Sequence, residues 1–321
     1  MKYKVVLTEA DVGSDFHEER AMLAALDAEL VYLNTTDHDT VKAAATDADA
    51  VITSYAEINA DIIGAMTRCR SISKLGIGVN NIDVSAATAK GIRVTNAPNY
   101  CIEEVSDMIS GLTLALARGI PFSWQNVCGG KWKHSCAPTV MRLQGKTFGF
   151  MGYGRIARRT AQKIAAHGMK ILAYDPYISA EEVAAAGAEQ VSLEELISRS
   201  DVISMNMPLT PENTGIVNAD FFKRMKKSAI FINTARGPMV DEAAFIDAIN
   251  NGEIAGAALD VLCNEHYDDA NPIFHLPNVI VTPHSAFYSP ESVKELVDEV
   301  FTDVASVIRG EEPLYQLNKS K

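Results

Sequence analysis

Between Lys4 and Pro98, short apolar runs alternate with stretches in which apolar residues recur every three or four positions. The runs Val5 to Thr8, Leu30 to Leu33, Ala50 to Ser54, Ser71 to Gly76 and Arg93 to Asn96 predict strands, and Glu18 to Leu26, Ile58 to Met66 and Val84 to Ala89 predict helices between them. Near-continuous apolar strands separated by amphipathic helices predict an α/β domain with a parallel sheet covered on both faces. Ile102 to Arg118 reads as one long amphipathic helix, with Glu103, Glu104 and Asp107 at the end where negative charge suits the helix dipole. A turn-rich stretch, Val127 to Pro138, follows.

A second series of strands and helices begins at Lys146. Thr147 to Met151, Lys170 to Tyr174, Asp201 to Met205, Ala229 to Asn233, Ala255 to Leu259 and Val279 to Val281 predict six strands, the count of a dinucleotide-binding sheet. The last helical pattern, Pro290 to Ile308, comes after that series has used its strands, which predicts that it crosses back to pack on the first domain. The expected organisation is therefore a discontinuous first domain, residues 1–99 plus 290–321, around a second domain, residues 100–289.

Composition narrows the functional classes. A chain of 321 residues with 47% hydrophobic and 22% charged content has room for two folded domains. A net charge of -12 argues against binding the phosphate backbone of a nucleic acid. The N-terminus lacks the apolar core of a signal peptide, and no run approaches the roughly 18 apolar residues of a membrane span. A cytoplasmic protein with no membrane partner is expected. Five cysteines without a C-x-x-C pair predict reduced thiols. Trp124, Cys128, Trp132 and Cys136, with His134 nearby, read as a loop, so no metal site is expected.

The first chemical signal is the run from Thr147 to Ala157, an apolar strand entering a glycine turn that fits G-x-G-x-x-A. Gly152 permits the tight turn, Gly154 lets the backbone approach a pyrophosphate, and Ala157 is small enough for close packing of the next helix, expected over Arg158 to His167. The start of that helix, after Arg155 and Ile156, offers free N–H groups and the positive end of its dipole to phosphates. Asp175 closes the following predicted strand, 18 residues past Ala157, where a carboxylate accepts from ribose hydroxyls. It predicts NAD over NADP, because a 2′-phosphate would meet like charge, with no Arg at Pro176 or Tyr177 to neutralise it.

Three ionisable residues stand where later strands end: Arg236 after Asn233-Thr234-Ala235, Glu265 after Leu259-Asp260-Val261, and His284 after Thr282-Pro283. Ligands of open α/β sheets bind at such carboxyl ends. Together with Lys74 to Asp83, the glycine loop, Pro208 to Thr214 and Asn233 to Gly237, in this order from Lys4 to about Pro313, these segments resemble the D-isomer-specific 2-hydroxyacid dehydrogenases, a family that includes phosphoglycerate, glycerate and formate dehydrogenases and the C-terminal-binding-protein corepressors. Lys74 replaces a common Arg, and His266 a common Pro.

The resemblance implies a Rossmann dinucleotide-binding domain and a flavodoxin-like substrate domain. It also implies hydride transfer between NAD(H) and a small-molecule 2-keto or 2-hydroxy acid. Arg236 would bind the substrate carboxylate, His284 would be the acid or base, and Glu265 would pair with the imidazole. Ile77 and Gly78 would offer backbone N–H groups to the carboxylate. Met207, Pro208, Thr234, Ala235 and Asp260 would line the cofactor, with Asp260 near the nicotinamide carboxamide. His266 is the less favoured alternative base. A homodimer is implied, with the Ile102 to Arg118 helix and the Trp124 to Pro138 loop as candidate contacts. Tyr55, Tyr100, Trp132, Phe287 and Tyr288 lie in loops that could line a pocket for a bulkier keto acid, and the few cations around Tyr55 and Gly76, Lys74 and Arg93, disfavour a phosphorylated one. The alternatives are an NAD(H)-sensing, corepressor-like binding protein with the same three residues, against which the lack of disordered extensions argues, and another Rossmann enzyme such as a methyltransferase.

Overall fold

The computed structural model describes residues 1–10, 12, 15–136 and 140–319. Backbone contacts divide the chain into one unit of Met1–Cys101 with Tyr288–Lys321 and another of Ile102–Phe287.

The first unit opens with β1 (Tyr3–Leu7), α1 (His17–Ala24), β2 (Ala28–Tyr32), α2 (His38–Ala45), β3 (Ala50–Thr53), α3 (Ala60–Ala65), β4 (Ser71–Lys74), α4 (Val84–Ala89) and β5 (Arg93–Thr95). Its strands are parallel in the order β2-β1-β3-β4-β5. Each is placed near its predicted position because Val5, Val6, Val51, Ile52, Ile72 and Val94 are all fully buried, and a parallel sheet covered on both faces needs such runs. The hydrophobic pattern does not predict α2. Only Val41 and Ala45 are buried on it, too few to show a period, and its start is set by Asp37, whose side chain accepts from the Thr40 N–H.

The second unit begins with α5 (Ile102–Arg118) and α6 (Ile120–Cys128), then runs β6 (Thr147–Met151), α7 (Arg155–Ala165), β7 (Lys170–Tyr174), α8 (Ala180–Ala185), β8 (Glu189–Gln190), α9 (Leu193–Arg199), β9 (Val202–Met205), α10 (Ala219–Arg224), β10 (Ile230–Asn233), α11 (Glu242–Asn250), β11 (Gly256–Leu259) and β12 (Val279–Val281). Its parallel sheet has the order β12-β11-β10-β9-β6-β7-β8. There are seven strands, not the six expected, because the two-residue β8 joins the edge through Leu172↔Glu189 and Ala173↔Gln190, too briefly to leave a pattern. Helix α7 starts at Arg155 rather than Arg158, since Gly154 is its cap and the Arg158 N–H already bonds the Gly154 carbonyl at 2.9 Å. The turn-rich stretch also begins late, as α6 takes in Trp124, Val127 and Cys128; positions 137 and 138 of that stretch lie outside the described residues.

The chain then returns to the first unit as α12 (Pro290–Arg309), capped by Ser289 at its start and by Gly310 at φ 82° at its end. Leu296, Val300, Phe301 and Val304 of α12 are buried. The segment beyond it runs along the edge strand β5, with Leu317 N–H donating to the Val94 carbonyl at 2.8 Å and the Asn318 side chain accepting from Val94 N–H at 2.8 Å. No helix among the described residues is long and apolar enough to cross a membrane, and no group of three His, Cys, Asp or Glu among them could hold a metal.

Candidate active site

The glycine loop lies at the carboxyl end of β6, where the strand order of the second unit reverses between β6 and β9, the usual ligand position in such sheets. Gly152 has φ 87°, and a Cβ there would stand 2.9 Å from the backbone of Asn206, so only glycine permits this turn. Gly154 differs: a Cβ there would meet nothing within 4 Å, and α7 has no side-chain cap. The helix therefore presents uncapped N–H groups beyond an open backbone surface, beside Arg155 and Ile156. Asp175 follows β7; one carboxylate oxygen accepts from Tyr153 N–H at 2.8 Å and the other from Tyr177 N–H at 2.9 Å, which orients both oxygens from the loop's own backbone.

Further along the same sheet edge, two buried polar atoms have no partner among the described residues: Asn206 Oδ1, after β9, and Thr234 Oγ1, after β10. Met207 and Pro208 lie in a loop braced by Asn213, whose side chain donates to the Pro208 carbonyl at 2.8 Å and accepts from Thr210 N–H at 2.8 Å. A dinucleotide fits these features. Gly154 leaves room for a pyrophosphate, Asp175 is set for ribose hydroxyls, and the orphaned oxygens can accept from a bound group.

The ends of the neighbouring strands β10, β11 and β12 carry the three ionisable candidates. His284 Nδ1 bonds Glu265 Oε2 at 2.8 Å, both side chains being part-exposed. The rings of His284 and Phe287 stand nearly perpendicular, with centroids 6.3 Å apart. His284 itself is held at φ 50°, an uncommon conformation for a side chain of this size. Its N–H bonds the Asp260 carbonyl at 2.8 Å, and the Asp260 carboxylate accepts from Thr282 Oγ1 at 2.5 Å, Ser285 N–H at 3.0 Å and Ala286 N–H at 2.9 Å. Asp260 is 1% exposed, so its oxygens are largely taken up by the loop that carries His284. Among the described residues, the bonds of the Asp260 carboxylate go to the His284 loop. His266 is exposed, and the imidazole bonded to Glu265 is that of His284.

Arg236 follows β10 on a turn tied by Asn233, whose side chain donates to the Arg236 carbonyl at 3.0 Å and accepts from Ala235 N–H at 2.9 Å. One guanidinium N–H of Arg236 bonds the Ala235 carbonyl at 2.6 Å. The next residue, Gly237, touches the loop after β11 so closely that a Cβ would lie 2.0 Å from the Leu262 carbonyl carbon. This contact fixes the Arg236 turn against the segment leading to Glu265. Cys263, in that segment, has its thiol pushed up to about 11 by burial and then by Glu242, which keeps it protonated and unreactive near neutral pH.

In the first unit, Ile77 and Gly78 follow β4. The Ile77 carbonyl accepts from Asn96 Nδ2 at 2.8 Å, and the preceding Gly76, at φ 148°, accepts from Ala97 N–H at 3.0 Å. Of the aromatic candidates there, Tyr55 and Tyr288 are exposed and Tyr100 is buried. Lys74 is tied down: its ammonium donates to the Ser54 carbonyl and to Asn81 Oδ1 at 3.1 Å, and lies 5.6 Å from the centre of the Tyr55 ring. Arg93 is paired with Glu312 at 2.8 Å. Sequence reasoning missed Asn233, the packing role of Gly237, the loop-holding role of Asp260 and the buried Glu9, all of which depend on partners distant in sequence or on backbone approach.

Residues 110–286 match the family model described as D-isomer specific 2-hydroxyacid dehydrogenase, NAD binding domain. D-3-phosphoglycerate dehydrogenase of Mycobacterium tuberculosis is 38% identical over 282 residues, 88% of this chain and 52% of its own length. The enzyme of that name from Methanocaldococcus jannaschii is 40% identical over 267 residues, 83% of this chain and 51% of its own. The chain thus spans about half the length of the curated relatives it matches. Among solved structures, D-lactate dehydrogenase from Aquifex aeolicus, complexed with NAD and lactic acid, superposes with a TM-score of 0.89 at 28% identity, covering 99% of this chain and 100% of that one. A glyoxylate reductase from Paecilomyes thermophila gives 0.90 at 27% identity over 100% of both chains. The chain belongs to the D-isomer specific 2-hydroxyacid dehydrogenase family, and its second unit is the family's NAD-binding domain with the Rossmann fold.

Proposed function

We propose that the protein is an NAD-dependent D-2-hydroxyacid dehydrogenase that moves hydride reversibly between NADH and a 2-keto acid. The observation that carries this reading is the His284–Glu265 pair at 2.8 Å, on loops at the carboxyl ends of β12 and β11 in the unit that binds NAD. NAD, when bound, supplies or takes the hydride. Reduction then needs a cation for the carboxylate and a proton for the developing alkoxide. Arg236 binds the carboxylate with its planar fork. In the first unit, the backbone N–H groups of Ile77 and Gly78 are the proposed substrate-binding donors. His284 gives its Nε2 proton to the substrate oxygen in reduction and takes it back in oxidation. Glu265, on Nδ1, fixes which nitrogen faces the substrate and stabilises the ring while it is charged. Asp260 holds the His284 loop, while Gly152, Gly154, Arg155, Ile156, Asp175, Met207, Pro208, Thr234 and Ala235 hold the cofactor.

The substrate we propose is not phosphorylated, unlike the phosphoglycerate in the names of the curated relatives. What supports this is the charge at the loop edge of the first unit, where Lys74 is bonded to Ser54 and Asn81, and Arg93 to Glu312. We further propose a cytoplasmic homodimer in which α6 meets a second copy; no residue of this helix is buried, and Ile120, Trp124 and Val127 on it are exposed. The long helix α5, by contrast, has one buried face, with Val105, Ile109, Leu112 and Leu116 on it. NADH oxidation with a panel of 2-keto acids tests the activity. Turnover of at least one, lost in His284→Gln, is the expected result; tight NADH binding with no turnover of any would indicate a cofactor-sensing protein instead.

A further inference from the structure

The sheet of the first unit also reverses its strand order, between β1 and β3, and the carboxyl ends of those two strands are where such a sheet takes ligands. Glu9, just past β1, stands at that point. It is 8% exposed, and one carboxylate oxygen accepts from the backbone N–H groups of Tyr55 and, at 2.9 Å, Ala56, in the loop after β3. The same loop is held from its other side by Asn81, which donates to the Ser54 and Ala56 carbonyls at 3.3 and 2.8 Å, and by Lys74 on Ser54. Glu9 Oε2, however, is buried with no partner among the described residues. A buried carboxylate oxygen without a donor costs free energy that a ligand N–H or O–H would recover.

We propose that Glu9 is a specificity-determining residue, whose second oxygen accepts from a hydrogen-bond donor on the substrate's side chain, a hydroxyl or a cationic nitrogen. This rests on the dehydrogenase reading above and names the substrate class more closely. Strands β1 and β4 are separated by β3, so Glu9 lies about 10 Å across the sheet from the loop of Ile77 and Gly78. A donor several bonds from the carboxylate spans that distance. A phosphate or second carboxylate at the same place would meet the negative charge of Glu9, while Lys74 and Arg93, the cations the sequence offers around this edge, are bonded among the described residues to Ser54 and Asn81 and to Glu312.

The test is a comparison of kcat/KM for 2-keto acids matched in length: 2-keto-5-hydroxypentanoate and 2-keto-5-guanidinopentanoate as donors, 2-ketopentanoate as the apolar control, and 2-ketoglutarate as the anion, with 3-phosphonooxypyruvate added as the phosphorylated case. The wild type is expected to prefer a donor over the apolar control by on the order of 10- to 100-fold, the worth of one charge-assisted hydrogen bond, and which donor wins tells hydroxyl from cation. Glu9→Gln should collapse the preference for the guanidino acid and improve 2-ketoglutarate, with NADH affinity unchanged. A wild type that favours 2-ketoglutarate or 3-phosphonooxypyruvate overturns the proposal, and so does Glu9→Gln lowering all substrates by one factor, which is what a mere loop anchor would do. If the variant does not fold, the wild-type ranking alone decides. No turnover of any keto acid, with NADH bound, defeats the dehydrogenase reading itself, a distinct result.

Discussion

Asp260 holds His284 directly and through its neighbours: the Asp260 carbonyl accepts the His284 N–H at 2.8 Å, and the Asp260 carboxylate takes the hydroxyl of Thr282 and the N–H groups of Ser285 and Ala286 on either side of it. These bonds hold His284 at φ 50°, so that its ring meets Glu265 rather than relaxing to a commoner backbone conformation.

Asp260→Asn should therefore act through His284. An amide offers one acceptor oxygen for the three donors, and losing charge-assisted bonds at a buried site costs about 2 kcal/mol. A lowered thermal midpoint together with a fall in kcat is expected; an unchanged kcat would separate Asp260 from the histidine loop.

His284→Gln removes the proposed proton donor. Hydride transfer should fall by roughly 100- to 10,000-fold while NADH still binds, as read by fluorescence titration. Glu265→Gln should lower kcat less and change the pH profile, since the imidazole stays but loses the carboxylate on Nδ1.

Gly154 and Gly237 make a contrasting pair. Gly154→Ala meets nothing within 4 Å, so the variant should melt like the wild type yet bind NADH at least about tenfold more weakly, because the methyl occupies the backbone's approach to the pyrophosphate. Gly237→Ala places a carbon 2.0 Å from the Leu262 backbone and should lower both the melting temperature and kcat by displacing Arg236. Equal NADH affinity in Gly154→Ala and wild type would refute the cofactor assignment.

Asp175→Ser should shift the NADH to NADPH affinity ratio toward NADPH by about tenfold, since the like charge beside a 2′-phosphate is gone. Because Asp175 also accepts from Tyr153 N–H, some loss of affinity for both cofactors accompanies the shift. Isothermal titration with each cofactor reads the two effects apart.

Stability should also fall in acid through Asp201. Burial raises its pKa, but the Thr147 N–H and the ammonium groups of Lys226 and Lys146 outweigh that and hold the carboxyl below its ordinary value of 3.8. A carboxyl lowered in the folded state stabilises the protein above the unfolded value, and that contribution is lost as pH falls through the folded one. Urea midpoints measured from pH 7 down to about 3 should drop more steeply for the wild type than for Asp201→Asn. Parallel curves would contradict this.

The parts of this protein that follow from local chemistry were legible in the residues alone. Apolar strand runs and the glycine turn are short-range signals, so the strands around Val5, Thr147 and Lys170 and the roles open to Gly152 and Asp175 could be read directly. Short elements with few buried residues, α2 and β8, left no period to read. Helix α6 was hidden for a related reason: its apolar residues face outward.

The candidate site divides along the same line. Arg236, Glu265 and His284 were found because each follows a strand, but the bond between the last two crosses 19 residues and needs β11 beside β12 to form. The sequence alone determined where the longer apolar strands fall, where the dinucleotide loop lies and which ionisable residues follow strand ends, because those depend on neighbours in the chain. Tertiary structure alone decided that Gly237 must touch Leu262, that Asp260 grips the loop of His284, and that Glu9, paired with Tyr55 and Ala56 at separations of 46 and 47 residues, keeps one buried oxygen without a partner among the described residues. Those relations exist only once parallel strands bring distant loops to one edge.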